Sequence, residues 1–236
     1  MSPPARQLAI DLPYHPCLGR ADFLVSACNR AALDWIERWP DWPGHRLVLY
    51  GPEGSGKSHL AHLWCAMSGA RYLTGAALAQ AEPMLGNRAV PPGVAVDDAE
   101  SAPETALLHL YNSCAEAGVG LLVVSRQAPA AWPIGLPDLA SRLRAMAATG
   151  IDPPDDALLG AVLVKHFADR QLRVAPSVIA YLVLRMERSF ATAAALTARL
   201  DELALAAGRK IGLPLARQAL AEPCDPGQTR TECIEC

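Results

Sequence analysis

The stretch Gly51-Pro52-Glu53-Gly54-Ser55-Gly56-Lys57-Ser58 fits G-x-x-x-x-G-K-[ST] without a mismatch. It stands between a short apolar run, "HRLVLYG", and a segment with Leu60, Leu63 and Trp64 at helical spacing. Strand, glycine loop and helix in that order restrict the chain to an α/β architecture built around a phosphate site. Glycines let backbone N–H groups turn inward as an anion nest, and the helix N-terminus adds its dipole. Gly51, Gly54, Ser55 and Gly56 then form the cradle, Lys57 reaches the outer phosphates and Ser58 can ligate Mg²⁺. His59 is taken with the loop as lining the nucleotide; without metal-type companions it otherwise reads as an ordinary helix residue. The implied ligand is ADP or ATP with magnesium.

Such a loop requires an acid at the end of a neighbouring strand, and "VAVDD" supplies two about 45 residues further on. Asp97 would hold magnesium through water, and Asp98 could polarise an attacking water. Apart from the loop, an apolar run ending in Asp is also an ordinary strand-terminal turn.

The remaining pattern extends the same architecture. A helix is expected over residues 23–38, capped by Asp22 and ended by "WPDWPG", and another over 55–68. "RYLTG" reads as a second strand, followed by an Ala-rich helix ending near Gly86. "GVAVDD" and "VGLLVVS" are apolar without alternation, as in strands covered on both faces. Between them Ser101 and Glu104 have the spacing of a capping box opening a helix to Ala117. A short helix at 136–144 and a fifth strand at "AMAATGI" complete a parallel α/β sheet flanked by helices. From Pro154 only helices are expected, at 155–170, 176–187, 190–207 and 213–220. Four parts result: an extended arm (1–22), a nucleotide-binding α/β domain (23–152), a small helical lid (153–220) and a disordered tail (221–236).

Composition excludes several classes. A net charge of −3 and a pI near 6.1 lack the basic footprint of a stand-alone duplex binder, so contact with DNA is expected through a partner. No apolar run approaches the roughly 20 residues of a membrane span, and the start lacks a signal pattern, so a cytoplasmic protein is expected. Seven scattered cysteines suggest reduced thiols, with Cys28, Cys65 and Cys114 as small core residues. The terminal Cys233-Ile234-Glu235-Cys236 with Cys224 is a weak metal pattern beside the plainer reading of a disordered tail.

"GPEGSGKSHLAHLW", "VAVDDAE", "LLVVSRQAP" and "LPDLASRLRA", followed by an all-helical segment, resemble the AAA+ core of the bacterial replication initiator DnaA and its shorter homologues, the Hda-type regulators. The resemblance covers roughly residues 20–220. It implies a partner initiator whose ATP is hydrolysed under the regulator's influence. The chain stops within about 16 residues of its last expected helix, which leaves no obvious place for the initiator's helix-turn-helix domain. "QLAIDL" resembles the motif by which such regulators dock on the DNA polymerase sliding clamp. Gln7 would enter a polar pocket, and Leu8, Ile10 and Leu12 an apolar cleft. The plainer alternative is an arm packed on its own domain.

In AAA+ assemblies the nucleotide lies at a subunit boundary, and an arginine from the neighbour touches the γ-phosphate. "LASRLRA" matches the segment that carries this finger and points to Arg142, with Arg144 on another helix face. A guanidinium suits the role because it stays charged and forks onto phosphate oxygens; otherwise Arg142 is a solvated helix arginine. Asn29 matches the family's adenine-side helix, with Phe23 beside it, and reads equally as a helix-surface amide. Two departures stand out. Ala191 occupies the place of a lid arginine, with Arg188 three residues earlier, and Ser125-Arg126 stands where relatives show a serine and an acid. The resemblance thus implies weak intrinsic hydrolysis. A self-sufficient ATPase such as a helicase loader is the rival reading, with a small-molecule kinase or a partner holding ADP permanently behind it. AAA+ surfaces stack, which allows a homodimer.

Overall fold

A computed structural model describes residue 20 and residues 23–79 and 91–221. Five strands form one sheet: β1 (Arg46–Tyr50), β2 (Arg71–Thr74), β3 (Gly93–Asp97), β4 (Gly120–Ser125) and β5 (Ala147–Gly150). Their order is β2-β3-β4-β1-β5, and every pairing is parallel. The expected parallel α/β sheet is therefore present. Register aligns Tyr50 with Ser125 and Thr74 with Asp97, so the C-terminal ends of β1, β3 and β4 lie along one edge. In open sheets of this type ligands bind outside that edge.

Side-chain alternation along the strands feeds two apolar layers. On one face Val48, Val94, Val96, Leu121 and Val123 meet helices α4 (Glu104–Ala117) and α5 (Pro137–Ala145). On the other, Leu47, Leu49, Ala95, Leu122 and Val124 meet α1 (Arg30–Glu37) and α2 (Lys57–Ser68). β3 and β4 are buried along their whole length, the consequence of being covered twice. Fully burying a Leu or Ile is worth about 1.5–3 kcal/mol, against about 0–1 for an exposed ion pair. The two layers, rather than the charged rim, hold the strand ends in place.

Beyond β5 the described chain is helical: α6 (Asp156–Asp169), α7 (Pro176–Val183), α8 (Phe190–Ala207) and α9 (Leu213–Ala221). They enclose a separate apolar cluster that includes Leu163, Phe167, Leu182, Leu196 and Leu200. Asp155 caps α6 by accepting from Leu158 N at 2.7 Å, and Ser189 caps α8 by accepting from Ala191 N and Thr192 N.

Several expected boundaries shift. The first helix begins at Arg30 rather than near Phe23. Asn29 Oδ1 accepts from Ser26 N and its Nδ2 donates to Leu24 O, bonds that hold the preceding segment outside the helix. The capping box does not form. Ser101 Oγ donates to Asp98 O within a 3₁₀ turn, Pro103 stands at the helix entrance, and Glu104 accepts instead from Gly135 N and Leu136 N. Ser55 and Gly56 belong to the loop rather than to α2, and α7 ends at Val183, short of residue 187. After β2 a short helix, α3 (Gly75–Leu78), is described; the rest of the expected Ala-rich helix lies outside the described residues. So do the arm with Gln7, Leu8, Ile10 and Leu12, and Cys224, Cys233 and Cys236.

Candidate phosphate cleft and its arginines

At the C-terminal edge of the sheet a cleft of about 170 Å³ opens between the β1–α2 loop and the ends of β3 and β4. Glu53, Gly54, Lys57, Ser58, Asp97, Asp98, Glu100, Ser125 and Arg126 line it. The geometry thus brings the loop and both acids of "VAVDD" together. Gly56 enters α2 with φ 93°, a conformation that favours glycine, and a Cβ there would stand 3.1 Å from the Phe23 ring. That ring also meets the His59 ring edge-on, with centroids 5.3 Å apart. Phe23 and His59 therefore stand together beside the loop. Asn29, 2% exposed, uses its amide to shape the segment that delivers Phe23.

The residues fit a nucleotide's phosphates. α2 begins without a side-chain cap, so its first turn is a ready anion site. Lys57 Nζ donates to Pro52 O at 2.7 Å within its own loop, an ammonium held at the cradle. Burial lowers its pKa, while Asp97, Glu100 and Glu53 oppose that shift and Arg126 adds to it. The buried Ser55 hydroxyl has no hydrogen-bond partner among the described residues. Ser58 and Asp97, which both line the cleft, carry the oxygens suited to a magnesium ion.

Asp97 is nearly buried and both its oxygens are engaged. Oδ1 accepts from Asp98 N at 2.9 Å, and Oδ2 accepts from the Tyr72 hydroxyl at 2.6 Å. Tyr72 lies stacked on His62 of α2, with ring centroids 3.9 Å apart. Burial and then the bond to Asp97 push the Tyr72 pKa up, so the hydroxyl keeps its proton and serves as donor. Sequence reasoning missed this residue. Its one signal is parity: Tyr72 and Thr74 share a face of β2, and Thr74 pairs with Asp97.

Arg126 follows the last residue of β4. Its backbone N–H donates to Glu100 Oε1, and its guanidinium lies 3.6 Å from Glu53 and 3.8 Å from Asp98. Asp98, in a left-handed conformation at φ 49°, is exposed where Asp97 is buried. Ser125 is buried and donates to Gln127 O at 2.8 Å, which shapes the turn that follows β4.

The lid meets the loop without a charge. A Cβ on Gly54 would stand 2.5 Å from the backbone nitrogen of Ala191, at the start of α8. Arg188 forms a two-pronged pair with Asp156 of the lid, at 3.0 and 3.1 Å. Arg142 is elsewhere. It sits in the last turn of α5, is not among the side chains lining the cleft, and its Nε donates to Asp138 at 3.0 Å. That hydrogen bond raises its pKa further. The guanidinium lies 5.4 Å from the centre of the Tyr111 ring, which Arg46 also approaches, at 4.6 Å.

Residues 156–220 match the family model described as "Hda, lid domain". In fold, the chain is similar to domain III of the replication initiation protein DnaA from Thermotoga maritima. That match has a TM-score of 0.74 at 18% identity, over 91% of this chain and all of that one. AMPPCP-bound DnaA from Aquifex aeolicus matches at TM-score 0.61 and 16% identity, over 80% of this chain and 65% of the other. The Thermotoga maritima RuvB Holliday junction branch migration motor matches at 0.63 and 14%, over 87% of this chain and 72% of that one. No described helix is long and apolar enough to cross a membrane.

Proposed function

We propose that this chain, a DnaA-like AAA+ protein with a lid of the Hda type, acts as a regulator of the replication initiator, stimulating hydrolysis of the ATP that the initiator carries. The observation that carries the reading is the position of Arg142. Its guanidinium stands outside the cleft, on an exposed helix end, supported by Asp138 and the Tyr111 ring. A cation in that place serves a nucleotide bound by a neighbour. It stays charged and can fork onto phosphate oxygens as transition-state charge spreads, an effect worth roughly 10³–10⁵ in the GTPase examples.

The chain's own cleft would hold ADP or ATP through the loop, Lys57 and Ser58, with Asp97 toward magnesium. When bound, the nucleotide would supply the negative charge around which cleft and lid are arranged. Arg188 is engaged by Asp156 and Ala191 carries no charge, which supports weak intrinsic hydrolysis and a switching role for the chain's own nucleotide. In the same reading Gln7, Leu8, Ile10 and Leu12 dock on the sliding clamp as an extended peptide, with the amide in a polar pocket and aliphatic anchors in a cleft. The protein then works in the cytoplasm, needs no sequence-specific DNA contact of its own, and can rest as a homodimer.

The test measures hydrolysis of ATP pre-bound to the cognate initiator, with clamp loaded on DNA. The intact chain is compared with Arg142→Ala and with a Gln7→Ala/Leu8→Ala pair. Stimulation by the intact chain alone supports the reading. No stimulation, or equal stimulation by the variants, would falsify it, and steady hydrolysis by the isolated chain would favour a self-sufficient ATPase.

A further inference from the structure

We propose that a second cavity, beside the phosphate cleft, binds a small organic cation: an ammonium or amidinium group carried on a compact apolar body. The cavity measures about 310 Å³, at the lower end of the range that small-molecule sites occupy. Its apolar lining comes from Ala99, Ala102, Leu107, Trp132, Pro133 and Leu139. Leu107 and Leu139 are buried members of the core between the sheet and helices α4 and α5, so that side of the cavity is rigid. The polar lining is Glu100, Glu104, Arg126 and Gln127. Glu100 and Arg126 also line the phosphate cleft, so the two spaces share a wall.

Two carboxylates keep this space open and give it its charge. Glu100 accepts from the N–H of Arg126, and Glu104 accepts from those of Gly135 and Leu136 at 2.8 and 2.7 Å. The connection from β4 to α5 is thereby pinned at both ends, with Trp132 and Pro133 between the pins. A cavity walled by a connection held in this way is formed before any ligand arrives, which spares the ligand the cost of ordering it. Arg126 supplies the one guanidinium among the described lining residues, and it is drawn toward Glu53 and Asp98, neither of which lines this cavity. The carboxylates therefore set the sign of the potential. One acceptor is also left over: Glu100 Oε2 is closed off from solvent and has no hydrogen-bond partner among the described residues. A buried carboxylate oxygen without a donor is costly. A cationic N–H that draws this oxygen toward the cavity supplies both the missing donor and the compensating charge, while the apolar body covers Leu107, Leu139 and the indole. An anion would meet two like charges, and a neutral apolar molecule would leave the acceptor unmet.

The experiment titrates the full chain with benzamidine, benzamide and benzoate, probes that share one ring and differ in charge. It follows the indole N–H signals by NMR, with that of Trp132 identified through Trp132→Phe. Benzamidine should bind with a Kd on the order of 1 mM, as a fragment of this size allows, and move the Trp132 signal. Benzamide should bind about tenfold more weakly, the value of a charge-assisted hydrogen bond, and benzoate more weakly still. Glu100→Gln keeps an acceptor for the Arg126 N–H and removes the charge; it should weaken benzamidine about tenfold and leave benzamide unchanged. Ala102→Leu narrows the space and should weaken both, and circular dichroism checks the fold of each variant. Equal affinities for benzamidine and benzamide overturn the assignment of a cation. A Trp132 signal that stays in place at about 10 mM benzamidine overturns the site. Displacement of benzamidine by ADP with magnesium would put the probe in the phosphate cleft and overturn it as well. If Ala102→Leu does not fold, an unchanged benzamidine affinity in Glu100→Gln overturns the proposal by itself.

Discussion

The phosphate cleft and the exposed end of α5 treat their charged side chains in opposite ways. In the cleft, Lys57 is folded onto its own loop, and Asp97 is occupied on one side by a backbone N–H and on the other by Tyr72. At the end of α5, Arg142 has one carboxylate a helical turn away and a distant aromatic ring. The first arrangement is preorganised and partly buried, which suits a ligand the chain keeps. The second leaves a cation supported but available, which suits a ligand held elsewhere. Preorganisation on one side and availability on the other are the division of labour that the proposed function calls for.

Removing Arg142 is the strongest way to break this comparison. Arg142→Ala should lower stimulated hydrolysis of initiator-bound ATP by roughly 10³-fold or more, while the chain's own nucleotide affinity stays unchanged by equilibrium titration. Loss of both together would mean that the two regions are one site. Next comes Lys57→Ala, which should weaken nucleotide binding about 10- to 100-fold, the value of a charge-assisted hydrogen bond; calorimetry reads it directly. Tyr72→Phe sharpens the contrast at one atom. Without the hydroxyl that orients Asp97, the magnesium needed for half-maximal nucleotide binding should rise about tenfold, the low end for outer-shell partners. His62 and the fold should be undisturbed by so small a change. The smallest effect belongs to the lid, where Asp155→Ala removes the cap of α6. It should lower stability by about 1 kcal/mol, or about 2–4 °C in a melting experiment, without altering the magnesium dependence.

Local features were legible before any coordinates. The loop, the acids after "VAV" and the Ala- and Leu-rich helices of the lid each announce themselves within a window of a few turns, and the parallel sheet follows from their alternation. What escaped reading depends on distant pairs. Tyr72 meets Asp97 across 25 positions and Glu104 meets Gly135 across 31. No periodicity encodes such partners. The shifted start of α1 has a different cause: Asn29 is compatible with a helix by pattern, yet its short amide found two backbone partners in the preceding segment. The Ser101 and Glu104 pair shows the same limit from the other side. Its spacing fitted a capping box, and the carboxylate was drawn instead to the two N–H groups just ahead of α5.

The close approach of Gly54 and Ala191 bears on the spacing between two layers of the molecule. Backbone meets backbone there, so no side chain can rotate aside to let the loop and α8 slide past one another. Gly54 has φ 70°, so a side chain at that position would be strained by its own backbone as well as crowded by α8. The distance between the lid and the phosphate loop is therefore set by a missing side chain.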